Sequence, residues 1–168
     1  MVADLPLRPS IWVLKGVRAG DTAQAMDLAL QLGGRVEGKQ LSFNASHNIP
    51  NWLLGARVSQ LTQDARKLLH PPWPDLVVAT GRRTAPVALW IKRQSQGKTK
   101  LVHIGRPRMA LSEFDLVLTT PQYGLPELDN VVVMPVPFVS LKNVSEDQLQ
   151  HFRSAWAHLP KPWILGVI

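Results

Sequence analysis

Apolar residues along this chain come in two alternating arrangements. Short unbroken runs at 11–14, 76–79 and 131–134 are the mark of strands covered on both faces. Between them, apolar positions recur at helical spacing. The first run ends at Gly16, and after a turn Asp21 or Thr22 is placed to cap a helix over 22–33. Ala25, Leu28, Ala29 and Leu32 share one face of that helix, and Gly33-Gly34 ends it. A second strand is expected over 36–43, weakened by Gly38. Asn48 and Pro50 open a further helix whose stripe is Leu54, Val58, Leu61, Ala65 and Leu68, with Gly55 placed to split it near its start. His70-Pro71-Pro72-Trp73-Pro74 stops it. Strands follow over 75–80, 100–104, 115–119 and 131–134, with a helix from Thr84 to near Ser95 and a Pro- and Gly-rich loop over 121–130. Ser145 and Gln148 have capping-box spacing and open a helix on which Leu149, Phe152, Trp156 and Leu159 share a face; 162–168 reads as one more buried strand. This alternation predicts an α/β fold: a Rossmann-like, doubly wound, mostly parallel sheet with helices on both faces.

Composition narrows the chemistry. The 168 residues include no cysteine, which excludes disulfide scaffolds, cysteine zinc sites, iron–sulfur centres and thiol catalysis. No apolar run approaches the roughly 20 residues of a membrane span. The N-terminus, with Asp4, Pro6 and Pro9, is a poor secretory signal. The expected location is the cytoplasm, with peripheral membrane contact open to a basic surface. One Rossmann-like domain is expected over 1–160. Because the chain stops inside an apolar strand, 161–168 is read as the link to, or first strand of, a second domain.

Charge is concentrated in one segment. Residues 76–112 carry eight basic and no acidic side chains, whereas 113–168 carry three basic and six acidic ones. Such a patch points to an anionic partner. In an open parallel sheet, ligands bind beyond the carboxyl ends of the strands, and four predicted loops leave that rim: 15–22, 80–85, 105–108 and 120–126. Three of them bring arginine: Arg18, Arg82 with Arg83, and Arg106 with Arg108. In 80–85, Gly81 permits close backbone approach and Thr84 is placed to cap the next helix, whose N-terminus favours an anion; the adjacent guanidinium groups add bidentate recognition. In 15–22, Gly16 and Gly20 give a wide turn, and Asp21 is either a cap or a ligand contact. The loop lacks both the dinucleotide and P-loop glycine fingerprints. The five histidines show no metal-ligand spacing, no nucleophile elbow is present, and His103 is read as a satisfied core residue. Trp52, Trp73 and Trp90 are read first as core packing, with stacking on a base or sugar as the alternative. No aromatic–basic interleaving of an RNA-binding module occurs, so nucleic acid ranks last among partners.

Taken in order, Lys-Gly-Val-Arg-Ala-Gly-Asp-Thr-Ala-Gln-Ala, Pro-Asp-Leu-Val-Val-Ala-Thr-Gly-Arg-Arg-Thr-Ala-Pro, Ile-Gly-Arg-Pro-Arg, Phe-Asp-Leu-Val and Thr-Pro-Gln-Tyr resemble the N-terminal half of the mitochondrial fission (elongated-mitochondria type) protein family. Gly20, Asp21 and Gln24 match its first motif, Gly81, Arg82, Arg83, Thr84 and Pro86 its second, and Arg106, Pro107 and Arg108 its third. That family is similar to GT-B glycosyltransferases, in which two Rossmann-like domains face a cleft. The resemblance implies that this chain is the acceptor-side half. Together with Gly16 and Arg18 from the first rim loop, the motif positions give an expected ligand-binding set of Gly16, Arg18, Gly20, Gln24, Gly81, Arg82, Arg83, Thr84, Arg106 and Arg108, with Asp21 as the expected catalytic base. It implies a phosphorylated or lipid-linked small-molecule acceptor, a nucleotide-sugar donor held by the second domain, no tightly bound cofactor and no metal. The alternative is a non-enzymatic adaptor that keeps the transferase fold and docks membranes or division proteins.

Overall fold

The apolar runs pair into one sheet. In a computed structural model describing residues 6–16, 19–137 and 145–160, the elements are β1 (Ser10–Lys15), α1 (Ala19–Gln31), β2 (Arg35–Gln40), a 3₁₀ turn (Ala45–Asn48), α2 (Asn51–Leu54), α3 (Gln63–Lys67), β3 (Leu76–Thr80), α4 (Ala85–Gln94), β4 (Lys100–Ile104), a 3₁₀ turn (Leu111–Glu113), β5 (Leu116–Thr119), a 3₁₀ turn (Pro121–Tyr123), β6 (Val131–Val133) and α5 (Glu146–Ala155). Six strands lie in the order β2-β1-β3-β4-β5-β6, every pairing parallel. This is the expected Rossmann-like α/β architecture. Strand order reverses between β1 and β3, and there the crevice of a doubly wound sheet opens.

Alternate side chains of the central strands enter two cores. Ile11, Val13, Leu76 and Val78 pack with Ala25 and Ala29 of α1 on one face. Trp12, Leu14, Val77, Ala79 and Leu101 pack with Val87, Ala88 and Ile91 of α4 on the other. Trp12, Trp73 and Trp90 meet edge to face, with ring centroids 5.9 and 5.7 Å apart, whereas Trp52 stays exposed. Gly38 does not break β2: a Cβ there would meet the Lys15 side chain, so the glycine makes room for that stem at the sheet edge.

Several expectations are corrected. The first helix begins at Ala19, not 22, so neither Asp21 nor Thr22 is its cap. Asp21 stands instead in the first turn, where the helix dipole favours a carboxylate. The helix ends at Gln31, which leaves Leu32 exposed. The strand expected over 36–43 stops at Gln40, and Phe43 forms an isolated antiparallel bridge with Leu61. That bridge divides the long helix expected after Pro50. Gly55, at φ +61°, closes α2, and Thr62 N–H donates to Ser42 O instead of continuing a helical ladder. The Thr62 side chain then caps α3. Leu54, Leu61 and Ala65 are buried as the stripe predicts, but Leu69 replaces the exposed Leu68.

The capping box at Ser145 and Gln148 is formed, and the apolar face of α5 with Leu149, Phe152 and Trp156 is exposed. The strand expected over 162–168 lies outside the described residues. Among the described residues, no helix is long and apolar enough to cross a membrane.

Candidate anion site at the strand ends

Because all six strands run in parallel, their carboxyl ends share one edge, and the loops leaving that edge enclose a cavity of about 670 Å³. Gly16 after β1, Thr80 to Thr84 after β3, Gly105, Arg106 and Arg108 after β4, and Thr119, Thr120, Gln122 and Tyr123 after β5 line it, together with Asp21 and Gln24 of α1. The structure thus brings Gly16, Asp21, Gln24, Gly81, Arg82, Arg83, Thr84, Arg106 and Arg108 around one space. Gly20 lies in the exposed first turn of α1 and does not line the cavity. Arg18 lies outside the described residues.

The loop after β3 is built on a left-handed glycine. Gly81 has φ +75°, and Thr84 Oγ1 donates to the carbonyls of Thr80 and Gly81 at 2.7 and 3.0 Å. Thr84 therefore occupies the cap position of α4 without capping it. Its hydroxyl closes the glycine turn, because that turn presents two carbonyls within its reach. The Asp21 carboxylate faces the same turn: a Cβ on Gly81 would sit 3.6 Å from its Oδ2.

The loop after β4 repeats the glycine device. Gly105 has φ +84°, and the Tyr123 ring lies against it, 3.6–3.7 Å from where a Cβ would stand. Arg108 also adopts positive φ, +54°, a conformation that costs a residue with a Cβ.

Two side chains tie these loops together. Asn51, buried at the start of α2, donates from its Nδ2 to Arg82 O at 2.6 Å and to Pro107 O at 2.9 Å. His103, fully buried on β4, places one ring nitrogen 3.3 Å from Gly105 O and the other 3.3 Å from Gly81 O. Burial pushes its pKa down to about 4, although the two carbonyls pull the other way. At neutral pH the ring is uncharged and donates to one carbonyl at a time. The reading of His103 as a core residue holds; its part in joining the two glycine turns adds to it.

Three of the cationic groups around this space are not spent on carboxylates. Among the described residues, Arg83, Arg106 and Arg108 form no ion pair. Thr120, also in the lining and only 8% exposed, leaves its buried Oγ1 without a protein hydrogen-bond partner. Several guanidinium groups lining one cavity form a set of donors suited to an anion.

Sequence reasoning placed the loops and missed Asn51, Thr120 and Tyr123 as individual contributors. The loop 120–126 signals the last two, since it leaves the same rim. Asn51 carried no signal beyond its place after Pro50, because its partners are 31 and 56 positions away.

The profile of the family described as "Mitochondrial fission ELM1" matches residues 19–168. An uncharacterized protein of Rickettsia prowazekii (strain Madrid E) is 32% identical over 110 residues, which is 65% of this chain and 31% of that protein. The matched region therefore spans less than a third of that relative's length. No solved structure matches the chain.

Proposed function

The chain belongs to the mitochondrial fission ELM1 family, and from that premise we propose that its strand-end cavity holds the phosphate of a phosphorylated or lipid-linked acceptor, as the acceptor-side half of a GT-B-like glycosyltransferase. The observation that carries this reading is the convergence of Arg83, Arg106 and Arg108, without carboxylate partners among the described residues, on one cavity at the strand ends. Guanidinium groups suit phosphate because their paired N–H groups match two of its oxygens. Asp21, in the same lining, is the carboxylate that would take the proton from an acceptor hydroxyl as that oxygen attacks the sugar. A second domain would bring the nucleotide-sugar donor, whose diphosphate leaves as the glycosidic bond forms.

The test is a titration of the chain with sugar phosphates and inorganic phosphate at fixed ionic strength, beside an Arg83→Ala/Arg106→Ala variant. Saturable binding that the variant loses supports the site. Binding that persists in the variant, or that matches equal concentrations of sulfate and chloride, removes it.

The adaptor reading is favoured by one separate observation. The apolar face of α5, with Phe152 and Trp156 rings 5.9 Å apart, is exposed. A family member that recruits partners without catalysis would use such a face and would tolerate Asp21→Asn.

A further inference from the structure

Beside the anion cavity lies a second hollow of about 600 Å³, lined by Trp52, Met109, Leu111 and Leu125 with Ala110 and Pro126. It shares Arg106 and Arg108 with the first. Its chemistry is different. Apart from the two arginines, the side chains on its walls are largely apolar, so they favour hydrocarbon over a polyol. An aliphatic chain has no polar groups to leave unpaired.

The exposed Trp52 that forms one wall stands on a helix anchored to the arginine loops. Its side chain is 78% exposed and that of its neighbour Leu53 is 62% exposed, a cost in apolar surface that packing elsewhere in the fold does not explain. Their helix is fixed from beneath by Asn51, whose bonds to Arg82 O and Pro107 O tie it to both arginine loops. Arg108, in its left-handed backbone conformation, stands where the two hollows meet.

We propose that this groove takes the hydrocarbon chain, acyl or isoprenyl, of a phosphate ester whose phosphate is held by Arg106 and Arg108. The inference rests on the phosphate reading above and adds the part of the ligand beyond the phosphate. The shared arginines supply the argument for the occupant: a group anchored on them has its ester substituent leaving directly into the apolar groove. A chain laid along Met109, Leu111 and Leu125 would bury them and cover the indole of Trp52.

Calorimetric titration of the full chain with inorganic phosphate and with ethyl, butyl, hexyl and octyl phosphate, kept below self-association, tests this. Each methylene that enters the groove tightens binding by up to about fourfold. Octyl phosphate is therefore expected to bind at least about tenfold more tightly than ethyl phosphate. Trp52→Ala flattens that series while leaving inorganic phosphate within about twofold, and Trp52→Phe restores much of the slope. Because Trp52 is solvent-exposed, an unchanged melting temperature for both variants separates a binding effect from a folding one. Octanol without phosphate is expected to bind far more weakly than octyl phosphate.

Affinity independent of chain length, a slope unaltered by Trp52→Ala, or octanol equal to octyl phosphate each overturns the groove while leaving the phosphate reading intact. Failure of every phosphate compound, inorganic phosphate included, overturns both. Phosphatidylcholine vesicles with and without phosphatidic acid identify the source of the chain. Trp52-dependent binding to the acidic vesicles supports a bilayer lipid, and binding of the alkyl phosphates alone supports a free amphiphile.

Discussion

At the amino ends of the strands, Asp75 and Asp115 each close a junction between neighbours; at the carboxyl ends, Arg83, Arg106 and Arg108 surround an open cavity. The two acids repeat one device. Asp75 N–H donates to Ser10 O while its carboxylate accepts from Ser10 N–H at 2.8 Å, which locks β3 to β1. Asp115 N–H donates to Leu101 O while its carboxylate accepts from Leu101 N–H at 2.8 Å, which locks β5 to β4. Lys92 and Lys100 then pair with Asp115 at 2.9 and 3.5 Å. Charge at that edge is consumed by the fold. At the opposite edge the same β3 and β4 end in left-handed glycines followed by arginines, and among the described residues no ion pair involves Arg83, Arg106 or Arg108. One end of each strand therefore serves stability, and the other is left available for a ligand.

The largest way to break this division is acid. His103 is neutral when folded, with a pKa near 4 against an ordinary 6.5. The unfolded chain therefore takes up a proton first as pH falls. Stability is full above about pH 6.5 and declines towards pH 4, by about 3 kcal/mol over that window. Denaturant melts across the range should show the decline, and His103→Gln should remove it. Asp115 adds a second loss at lower pH. Burial alone would raise its pKa, but Lys92 and the Leu101 N–H hold it below the usual carboxylate value, so its contribution vanishes as pH drops through that range.

Next in size is Asp115→Ala, which strands the Leu101 N–H and leaves Lys92 without its carboxylate partner. It should cost about 2 kcal/mol in urea melts and leave phosphate affinity unchanged. Arg83→Ala with Arg106→Ala should do the reverse. Unfolding should shift by less than about 0.5 kcal/mol, while affinity for phosphate esters falls roughly ten- to a hundredfold. A substitution at the amino edge that altered binding, or an arginine loss that unfolded the chain, would dissolve the distinction.

How much of this was visible in the sequence follows the same division. Strands at 75–80, 100–104, 115–119 and 131–134 were legible from their apolar residues, and the observed β3 to β6 differ from them by at most one residue at an end. The expectation that 131–134 is covered on both faces is corrected, because β6 is the sheet edge and leaves Val132 and Val133 exposed. The arginine loops were legible because the parallel topology assigns every strand-to-helix turn to one edge. The segment between Pro50 and Leu69 was misread because its apolar spacing satisfies a helix and the observed loops equally. Only the long-range bridge between Phe43 and Leu61 decides between them. Thr84 was placed at the right position and given the wrong bond, since composition does not show that the preceding glycine turn presents two carbonyls. His103 as a link between glycine turns, and Asn51 as an anchor, depend on residues more than twenty positions distant.

The left-handed backbone of Arg108 also bears on how this sequence would respond to selection. Glycine or asparagine adopts φ +54° more readily than arginine, so a library screened for thermal endurance alone should drift towards those residues at position 108, gaining up to about 1 kcal/mol. A library screened for retention of a phosphate ester should keep the guanidinium and tolerate the strain. The two screens should diverge at this position while agreeing at Gly81 and Gly105, where the backbone requirement and the ligand's need for close approach ask for the same residue.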